Sequence, residues 1–445
     1  MKTILTGICL ILLLSRSWSP AVAETIFPYR VHTEVLANGL KVLLIPMDSP
    51  GLVAYYSIVR TGSRDEVEPG KSGFAHFFEH IMFRGTKKYP GAMYDSIVTS
   101  IGADANAFTS DDITAYHLKF AAEDLEKVID VESDRFQNLH YELADFQTEA
   151  GAIYGEYRKN VTNPYEVLDE KVRDIAFDVH TYKHTTMGFE RDIKAMPDGF
   201  DYSRSFFNRF YRPDNVVLLI VGDVNVGKTM ALIKKHYAGW ERGYQPSTVV
   251  PEPPQTAERT GEVSYQGKTL PIIDIAYKGE AFDPTNRGFV AAILMGELAF
   301  GGTSDLYKKL YIQEQRVEEM QGSLPSQRDM PLFEVVAKVK KEEDVPAIRD
   351  EVYRTIATFQ STPVDAQRLA DVKKRRKYGF LMNLDTPEKV AGRLATTIAL
   401  TGGIEAIDQL YAEIDRVTPD DIMAAARRYF TPERRTVVVL KGARQ

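Results

Sequence analysis

Cysteine is nearly absent from this 445-residue sequence, and its absence excludes two kinds of site. The single cysteine, Cys9, lies inside an apolar N-terminal stretch and follows Ile8, where a lipid-modified cysteine would need a small residue. The rest of the chain can therefore form neither disulfides nor thiolate metal ligands. Any metal site must be built from histidine, aspartate and glutamate.

A hydrophobic run long enough to span a membrane is also missing from the N-terminus. Residues 1–23 combine Lys2, an apolar core at 4–14 and a small-residue cleavage site, AVA, at 21–23, which is typical of a secretory signal peptide. The core is too short for a stable transmembrane helix. We expect cleavage after Ala23, no membrane span afterwards, and a periplasmic or secreted location.

An excess of basic residues is lacking as well. The chain has 55 lysines and arginines against 62 acidic residues. Without Lys2 and Arg16, which lie in the predicted signal peptide, 53 basic residues remain and the net charge is −9. This balance argues against nucleic acid as a partner. The basic run at 373–377 predicts a solvated or subunit-contacting helix face.

Histidine and glutamate are present in an informative arrangement at residues 76–80, which read HFFEH. His76 and His80 are four residues apart, so on a helix their rings share one face and can hold a single ion. Glu79 is close enough to activate a water molecule without being a ligand. The order H-x-x-E-H inverts the commoner zinc signature H-E-x-x-H. A catalytic zinc site also needs a third protein ligand.

Carboxylates for that third position occur in residues 144–160, where polar and apolar residues alternate at helical spacing. Glu149 and Glu156 are seven residues apart, and so lie on the same helix face two turns from each other. This second helix therefore supplies candidate ligands.

The sequence at this point resembles the pitrilysin/insulysin family of zinc peptidases. It is nearest the half-length type that includes the beta subunit of mitochondrial processing peptidase and bacterial heterodimeric relatives. The resemblance covers nearly all of residues 30–240 and includes the blocks TGSRDE at 61–66, FRGT at 83–86, GADANAFT at 102–109 and NVVLLIVGD at 215–223.

The resemblance implies roles for individual residues. His76, His80 and Glu156 would bind one zinc ion per chain, Glu79 would be the general base, and Glu149 would be an acidic neighbour of the site. It also implies that an extended peptide substrate pairs with an edge strand, with the backbone contacts made at Asn106, Ala107 and Phe108. An ordinary buried strand is the alternative for that segment.

The chain is predicted to contain two homologous domains. Residues 24–242 would form the zinc-binding domain, the proline-rich stretch 243–262 a linker, and residues 263–445 a second domain. The evidence is internal similarity: RFYRPDN before VVLLIVG matches RYFTPER before RTVVVLKG, with Pro213 and Pro432 at an offset of 219. A similar offset places Ile293 and Glu297 where the first half has its histidines, so the second half lacks a metal site.

Short strand-like runs and longer amphipathic helices occur in both halves. The pattern predicts an α+β fold in which helices pack on mostly antiparallel sheets. The resemblance implies that the two domains face each other across a chamber.

One expected pair of residues is missing from the second half. Family members that act alone or as homodimers carry there an arginine, and a tyrosine seven residues later, that stabilise the oxyanion. In this chain Tyr311 and Glu318 occupy those positions. The chain therefore resembles the zinc-carrying subunit of a heterodimer whose homologous partner bears the Arg/Tyr pair. When isolated, it could self-associate as a homodimer.

The predicted function is that of an exported zinc metalloendopeptidase acting on unfolded or short peptides, with Glu79 assisting the attack of zinc-bound water. The alternative is a non-catalytic scaffold or peptide-binding subunit that retains a zinc site.

Two competing motifs carry less weight. Gly222–Thr229 matches the phosphate-binding pattern G-x-x-x-x-G-K-[ST], but no strand ending in a metal-binding aspartate follows, and the match is interpreted as coincidence. His180 and His184 are four apart without a carboxylate between them, which favours a surface or supporting role.

Overall fold

The computed structural model describes residues 25–443, so the predicted signal peptide lies outside the described residues. The N-terminal half contains a six-stranded sheet and eight helices. Its strands are β1 His32–Val35, β2 Lys41–Pro46, β3 Leu52–Val59, β4 Asp104–Thr109, β5 Thr114–Ala121 and β6 Val216–Gly222. Its helices are α1 Phe74–Ile81, α2 Gly91–Ser100, α3 Leu125–Asn138, α4 Leu143–Asn160, α5 Pro164–Ala176, α6 Glu190–Ala195, α7 Phe200–Phe210 and α8 Val226–Tyr237.

The C-terminal half contains a five-stranded sheet and seven further α-helices. Its strands are β7 Arg259–Ser264, β8 Ile272–Lys278, β9 Val317–Ser323, β10 Leu332–Val339 and β11 Arg435–Lys441. Its helices are α9 Arg287–Phe300, α10 Asp305–Tyr307, α11 Val345–Ser361, α12 Ala366–Leu381, α13 Pro387–Thr401, α14 Glu405–Arg416 and α15 Pro419–Tyr429. A π-helical turn, Lys308–Gln313, extends α10.

The two sheets have the same topology. The first has the strand order β1-β2-β6-β3-β5-β4 and the second β7-β11-β8-β10-β9. Only β2 with β6 and β7 with β11 pair in parallel; every other pairing is antiparallel. When β1 is left out, the orders correspond strand by strand. The predicted α+β class, with two homologous and mostly antiparallel sheets, is confirmed.

One helix of each half packs on the sheet of the other half. Helix α5 packs on β7, β8 and β11, and α13 packs on β3 and β6. Both helices start with proline, Pro164 and Pro387, after a residue whose side chain caps the helix. Such a first-turn proline loses no intrahelical hydrogen bond. The two halves are therefore in direct contact through these helices.

Apolar side chains make this contact between the two halves. Val390, Leu394 and Ile398 of α13 are fully buried against alternate residues of the first sheet, while Leu168 and Val172 of α5 are buried against the second. Complete burial of one such side chain contributes about 1.5–3 kcal/mol. Helices of each half pack on the other half, so the packing does not mark where one domain ends and the next begins. The predicted boundaries 24–242, 243–262 and 263–445 therefore stay predictions. Residues 241–258 form no helix or strand.

One helical stretch, Arg287–Gln313, is long and apolar enough to cross a membrane by length and composition. Two-thirds of its most apolar window, 67%, is buried inside the protein. Its core helix α9 packs beneath the second sheet, with Leu294, Met295 and Leu298 in the hydrophobic core. The apolar character of this stretch is therefore accounted for by core packing.

Candidate metal centre

The two histidines of helix α1 lie on a different side of the helix from its buried aromatic residues. Phe74, Phe77 and Phe78 are buried in the core of the N-terminal half, and their spacing leaves His76 and His80 on another side of the helix. The helix ends at Ile81 and a 3₁₀ turn follows.

The turn after α1 requires glycine. Gly85 adopts a φ of 83°, and an added Cβ would lie 2.2 Å from the Tyr89 carbonyl oxygen. Gly85 directly follows the 3₁₀ turn Met82–Arg84 and lies four residues beyond the last residue of α1.

Helix α4 brings both predicted carboxylates to α1. Glu156 Oε2 lies 3.7 Å from His76 Nε2 and 3.3 Å from His80 Nε2. The three candidate ligand atoms all lie within 4.8 Å of one another. Within residues 25–443, no other group of three such side chains comes together this closely.

Glu149 occupies a different position, behind His80. Its Oε2 lies 3.5 Å from His80 Nδ1, and its other oxygen accepts hydrogen bonds from the Arg84 guanidinium, one of them at 2.6 Å. The contact with His80, together with Arg84, lowers the pKa of Glu149, and it raises the pKa of His80. A proton on Nδ1 leaves Nε2 of His80 free as a ligand.

His76 is held differently from His80. Burial, and then the neighbouring His80, lower the pKa of His76 to about 3, so its ring is neutral at physiological pH. Its Nδ1 atom is buried and has no hydrogen-bond partner within the described part of the chain. The ring is therefore placed by packing and by its backbone.

This donor set fits a zinc ion. Two imidazole nitrogens and one carboxylate oxygen converge, and zinc accepts both kinds of ligand in catalytic sites that leave one position open. The partly exposed Glu156 and His80 leave that position accessible.

A cavity of about 580 Å³ opens beside His80. Glu79 lines it, and burial raises the pKa of this carboxyl group. Asn106 and Ala107 of β4 line it too, whereas the Phe108 ring packs against the core between the first sheet and α13. The remaining lining residues are Phe83, Arg84, Gly91, Ala92, Asp95 and Glu149.

Strand β4 lies at the edge of the first sheet and pairs only with β5. Its outer edge therefore offers backbone groups next to the cavity. The predicted edge strand is present and spans Asp104–Thr109.

Sequence reasoning gave no role to several cavity residues. Arg84 was visible only as part of the FRGT block, yet it follows His80 by four positions, which is the spacing that places it near the same carboxylate. Asp95 and Ala92 come from α2, a helix for which the sequence offered no functional signal.

Among the described residues, up to 443, none of the second half lines the cavity. At the positions that correspond to the motif, α9 carries Ile293 and Glu297, and Glu297 pairs with Arg375 at 3.0 Å. Tyr311 stacks on Tyr307, and Glu318 pairs with a lysine of β10.

The phosphate-binding match forms an ordinary strand–turn–helix. Strand β6 ends at Gly222 and α8 begins at Val226, so only three residues remain for the turn. The carboxylate of Asp223 accepts the Gly51 N–H at 2.9 Å, and the Asn225 side chain caps the helix.

The histidine pair at 180 and 184 is buried, so the surface interpretation is wrong. His180 and His184 are 3% and 5% exposed. His180 Nε2 lies 3.1 Å from Asp329 of the second half, and His184 Nε2 lies 3.8 Å from Glu66. His180 thus lies at the contact between the halves, whereas His184 is buried within the first half, where its ring packs against Phe189.

The duplicated α+β fold, with one histidine–carboxylate centre in its first half, is that of a two-domain zinc-protease-like chain. Residues 52–190 match the insulinase domain of peptidase family M16, and residues 200–376 match the peptidase M16 inactive domain. The chain belongs to the insulinase family, peptidase family M16.

Named relatives extend over most of the chain. The zinc protease PqqE of Helicobacter pylori is 28% identical over 414 residues, 91% of each chain. The mitochondrial-processing peptidase subunit beta of Saccharomyces cerevisiae is 24% identical over 409 residues, 88% of this chain and 87% of that one. The crystal structure of a protease from Helicobacter pylori superposes with a TM-score of 0.87 at 26% identity, over 93% of this chain and 99% of that one.

Proposed function

We propose that this chain is an exported zinc metalloendopeptidase that cleaves unfolded or short peptides. The observation that carries the proposal is the convergence of His76, His80 and Glu156 beside Glu79, at a cavity bordered by a free strand edge. The names of the relatives in Helicobacter pylori and yeast support peptidase chemistry. Export rests on the predicted signal peptide at residues 1–23.

Each residue of the centre has a distinct role. His76, His80 and Glu156 would hold the zinc ion, which, when bound, polarises the peptide carbonyl and lowers the pKa of water to roughly 7. Glu79 takes a proton from the attacking water and delivers it to the leaving amine. Burial raises the pKa of Glu79 above its usual value, which favours uptake of a proton by this carboxylate.

Glu149 and Arg84 support the centre from behind. Glu149 accepts the Nδ1 proton of His80 and so fixes both the tautomer and the orientation of that ring. Arg84 holds the carboxylate in place. Glu149 is therefore proposed as an orienting residue and not as a ligand.

The edge of β4 would bind the substrate. An extended peptide can add itself to this edge through backbone hydrogen bonds at Asn106, Ala107 and Phe108. Since a folded protein does not present an extended strand with free backbone groups, this mode selects unfolded or short substrates.

A homologous partner subunit would complete the site. The cavity is lined only by residues of the N-terminal half, while Tyr311 and Glu318 are engaged elsewhere in the second half. An Arg/Tyr-bearing subunit facing this chain across a chamber would supply oxyanion stabilisation.

A non-catalytic, peptide-binding subunit with a retained zinc site is the second candidate. The observation in its favour is the same lack of an oxyanion donor from the second half among the residues that line the cavity. Metal analysis combined with cleavage of an unstructured peptide, with and without a co-purified homologue, separates the two. Zinc with cleavage supports the peptidase; zinc without cleavage under both conditions supports the scaffold.

A further inference from the structure

The segment at 61–66, TGSRDE, has no part in the chemistry above, yet its last residue contacts the helix that carries both histidines. Glu66 is 4% exposed. Its two carboxylate oxygens accept the N–H groups of Gly73 at 2.7 Å and of Ala75 at 2.6 Å. These donors lie at the start of α1, which begins after a glycine and so has no capping side chain of its own.

The position of the His76 side chain depends on this first turn of α1 more than the position of His80 does. It is the third residue of α1 and directly follows Ala75, whose N–H is bound by Glu66. Its Nδ1 has no hydrogen-bond partner in the described chain, whereas Nδ1 of His80 faces Glu149. Because α1 has only eight residues and short helices open from their ends, the backbone of this turn sets the position of His76.

The close packing around Gly73 fixes the same turn. An added Cβ on Gly73 would lie 2.6 Å from the Met187 carbonyl oxygen, and one on Gly188 would lie 2.6 Å from the Gly73 nitrogen. Both glycines have positive φ. The start of α1 is thus closely packed between Glu66 and the chain around residue 188.

The metal-free half holds the segment that carries Glu66. Residues 327–329, which we call the clamp loop, connect β9 to β10 and meet the corresponding β4–β5 loop of the first half. Gln327 donates to the Asp111 carboxylate, and the N–H of Arg328 donates to Asp112 at 3.1 Å. Asp329 accepts a hydrogen bond from Arg64.

The β4–β5 loop, which contacts the clamp loop, is also hydrogen-bonded to the segment before Glu66. The Arg64 N–H donates to the Asp111 carbonyl at 2.8 Å, and Ser63 Oγ donates to the Asp111 carboxylate at 3.1 Å. From the other side, Thr181 donates to the Arg64 carbonyl at 2.7 Å. Glu66 therefore extends from a segment that is held by both halves.

We propose that Glu66 is a positioning residue of the metal centre and that the clamp loop of the metal-free half keeps it in place. The second half then acts on the centre by fixing the first turn of α1 and with it His76. This inference rests on the proposed zinc site.

The variant Glu66→Gln tests it, with Glu413→Gln as the control. Glutamine at position 66 leaves one acceptor and sets an NH₂ group against a backbone N–H. Glu413 of α14 is likewise a buried carboxylate, 6% exposed, and it accepts a hydrogen bond from Arg287 at 2.6 Å, but within the described chain it bonds neither to α1 nor to the segments that hold Glu66.

Two readouts separate positioning from general stability. Chelator competition measures zinc affinity, and hydrogen exchange on the zinc-free protein measures opening of residues 74–77. We expect Glu66→Gln to bind zinc about 10- to 100-fold more weakly and to exchange faster in the first turn of α1, whereas Glu413→Gln does neither. Asp329→Asn, which loosens the clamp loop, should show a smaller loss in the same direction.

Each outcome decides a separate claim. Wild-type zinc affinity and unchanged α1 exchange in Glu66→Gln would overturn the role of Glu66 while leaving the zinc proposal intact. A wild-type chain that binds no zinc would overturn the proposed function, and α1 exchange alone then decides on Glu66. If Glu66→Gln does not fold, Asp329→Asn decides: an unchanged zinc affinity refutes the clamp loop.

Discussion

Nδ1 of His80 lies 3.5 Å from a carboxylate oxygen of Glu149, which stands behind the ring. The other ring nitrogen, Nε2, faces Glu156 at 3.3 Å. The two glutamates on one face of α4 therefore contact opposite edges of the same imidazole. This arrangement distinguishes the proposed ligand, Glu156, from the proposed orienting residue, Glu149.

Substitution of these two glutamates should give different metal-binding behaviour. Glu156→Ala removes a proposed ligand and should abolish stoichiometric zinc binding after dialysis. Glu149→Ala should retain zinc, with an affinity lower by about 10- to 100-fold, because it removes only an outer partner of His80. Metal analysis and chelator competition measure both. Loss of zinc in Glu149→Ala with retention in Glu156→Ala would reverse the assignment.

Helical spacing in the sequence predicted that His76 and His80 share one helix face and that Glu149 and Glu156 share another, whereas the meeting of the two helices was implied only by the family resemblance. The spacing of His76, His80, Glu149 and Glu156 follows from helical geometry, which is local and can be read from the sequence. The pairing of Arg84 with Glu149 depends on how α1 and α4 cross, and the sequence does not specify that angle.

Substrate form should limit cleavage. Because only an extended chain can pair with the edge of β4, we expect an unstructured peptide to be cleaved and a stably folded protein to resist. The comparison uses one substrate protein in its folded state and after permanent unfolding by reduction and alkylation. Equal cleavage of the two forms would contradict recognition by strand pairing.

A pH dependence of stability is expected at Glu170 of α5. Burial raises its pKa to about 7 despite a hydrogen bond from Tyr157, and the negative charges of Asp169, Glu166 and Glu190 add to the effect. An unfolded glutamate titrates near pH 4.3. Folding therefore favours the protonated form, and that stability is fully present below about pH 4.3 and lost as the pH rises through about 7.

The variant Glu170→Gln should accordingly be more stable than wild type at pH 8 by about 1 kcal/mol, a figure reduced for the partial solvent exposure of this carboxyl group. Near pH 4 the two proteins should unfold alike. Urea denaturation at both pH values measures the difference, with the exposed Glu123→Gln as a control. A gain that is the same at both pH values would rule out the titration of Glu170 as its cause.

Activity should depend on a homologous partner. Loss of an oxyanion donor typically lowers the rate by about 10² to 10³, and Tyr311 and Glu318 do not line the cavity. Adding an Arg/Tyr-bearing homologue should raise the specific activity of the purified chain by a factor of this order. Full activity of the chain alone, unchanged by the homologue, would mean that another residue stabilises the oxyanion.

Long-range packing marks the limit of prediction from the sequence. Residues 241–258 form no helix or strand, but β7 Arg259–Ser264 begins inside the predicted linker 243–262. The two halves do share one topology. The exchange of α5 and α13 was not predicted, because their apolar stripes show burial but not which sheet covers them. The burial of His180 was missed for the same reason, since Asp329, which lies against it, comes from the other half of the chain. His184 is buried among residues of its own half.

The most direct test of the account compares wild type with Glu79→Gln in zinc content and in cleavage of an unstructured peptide, in the presence of the partner. Glu79 lines the cavity beside His80 but is not among the three converging ligands. We predict one zinc ion in each protein and a turnover in Glu79→Gln lower by about 10² to 10⁴. Near wild-type cleavage by Glu79→Gln would contradict the assignment of Glu79 as the general base.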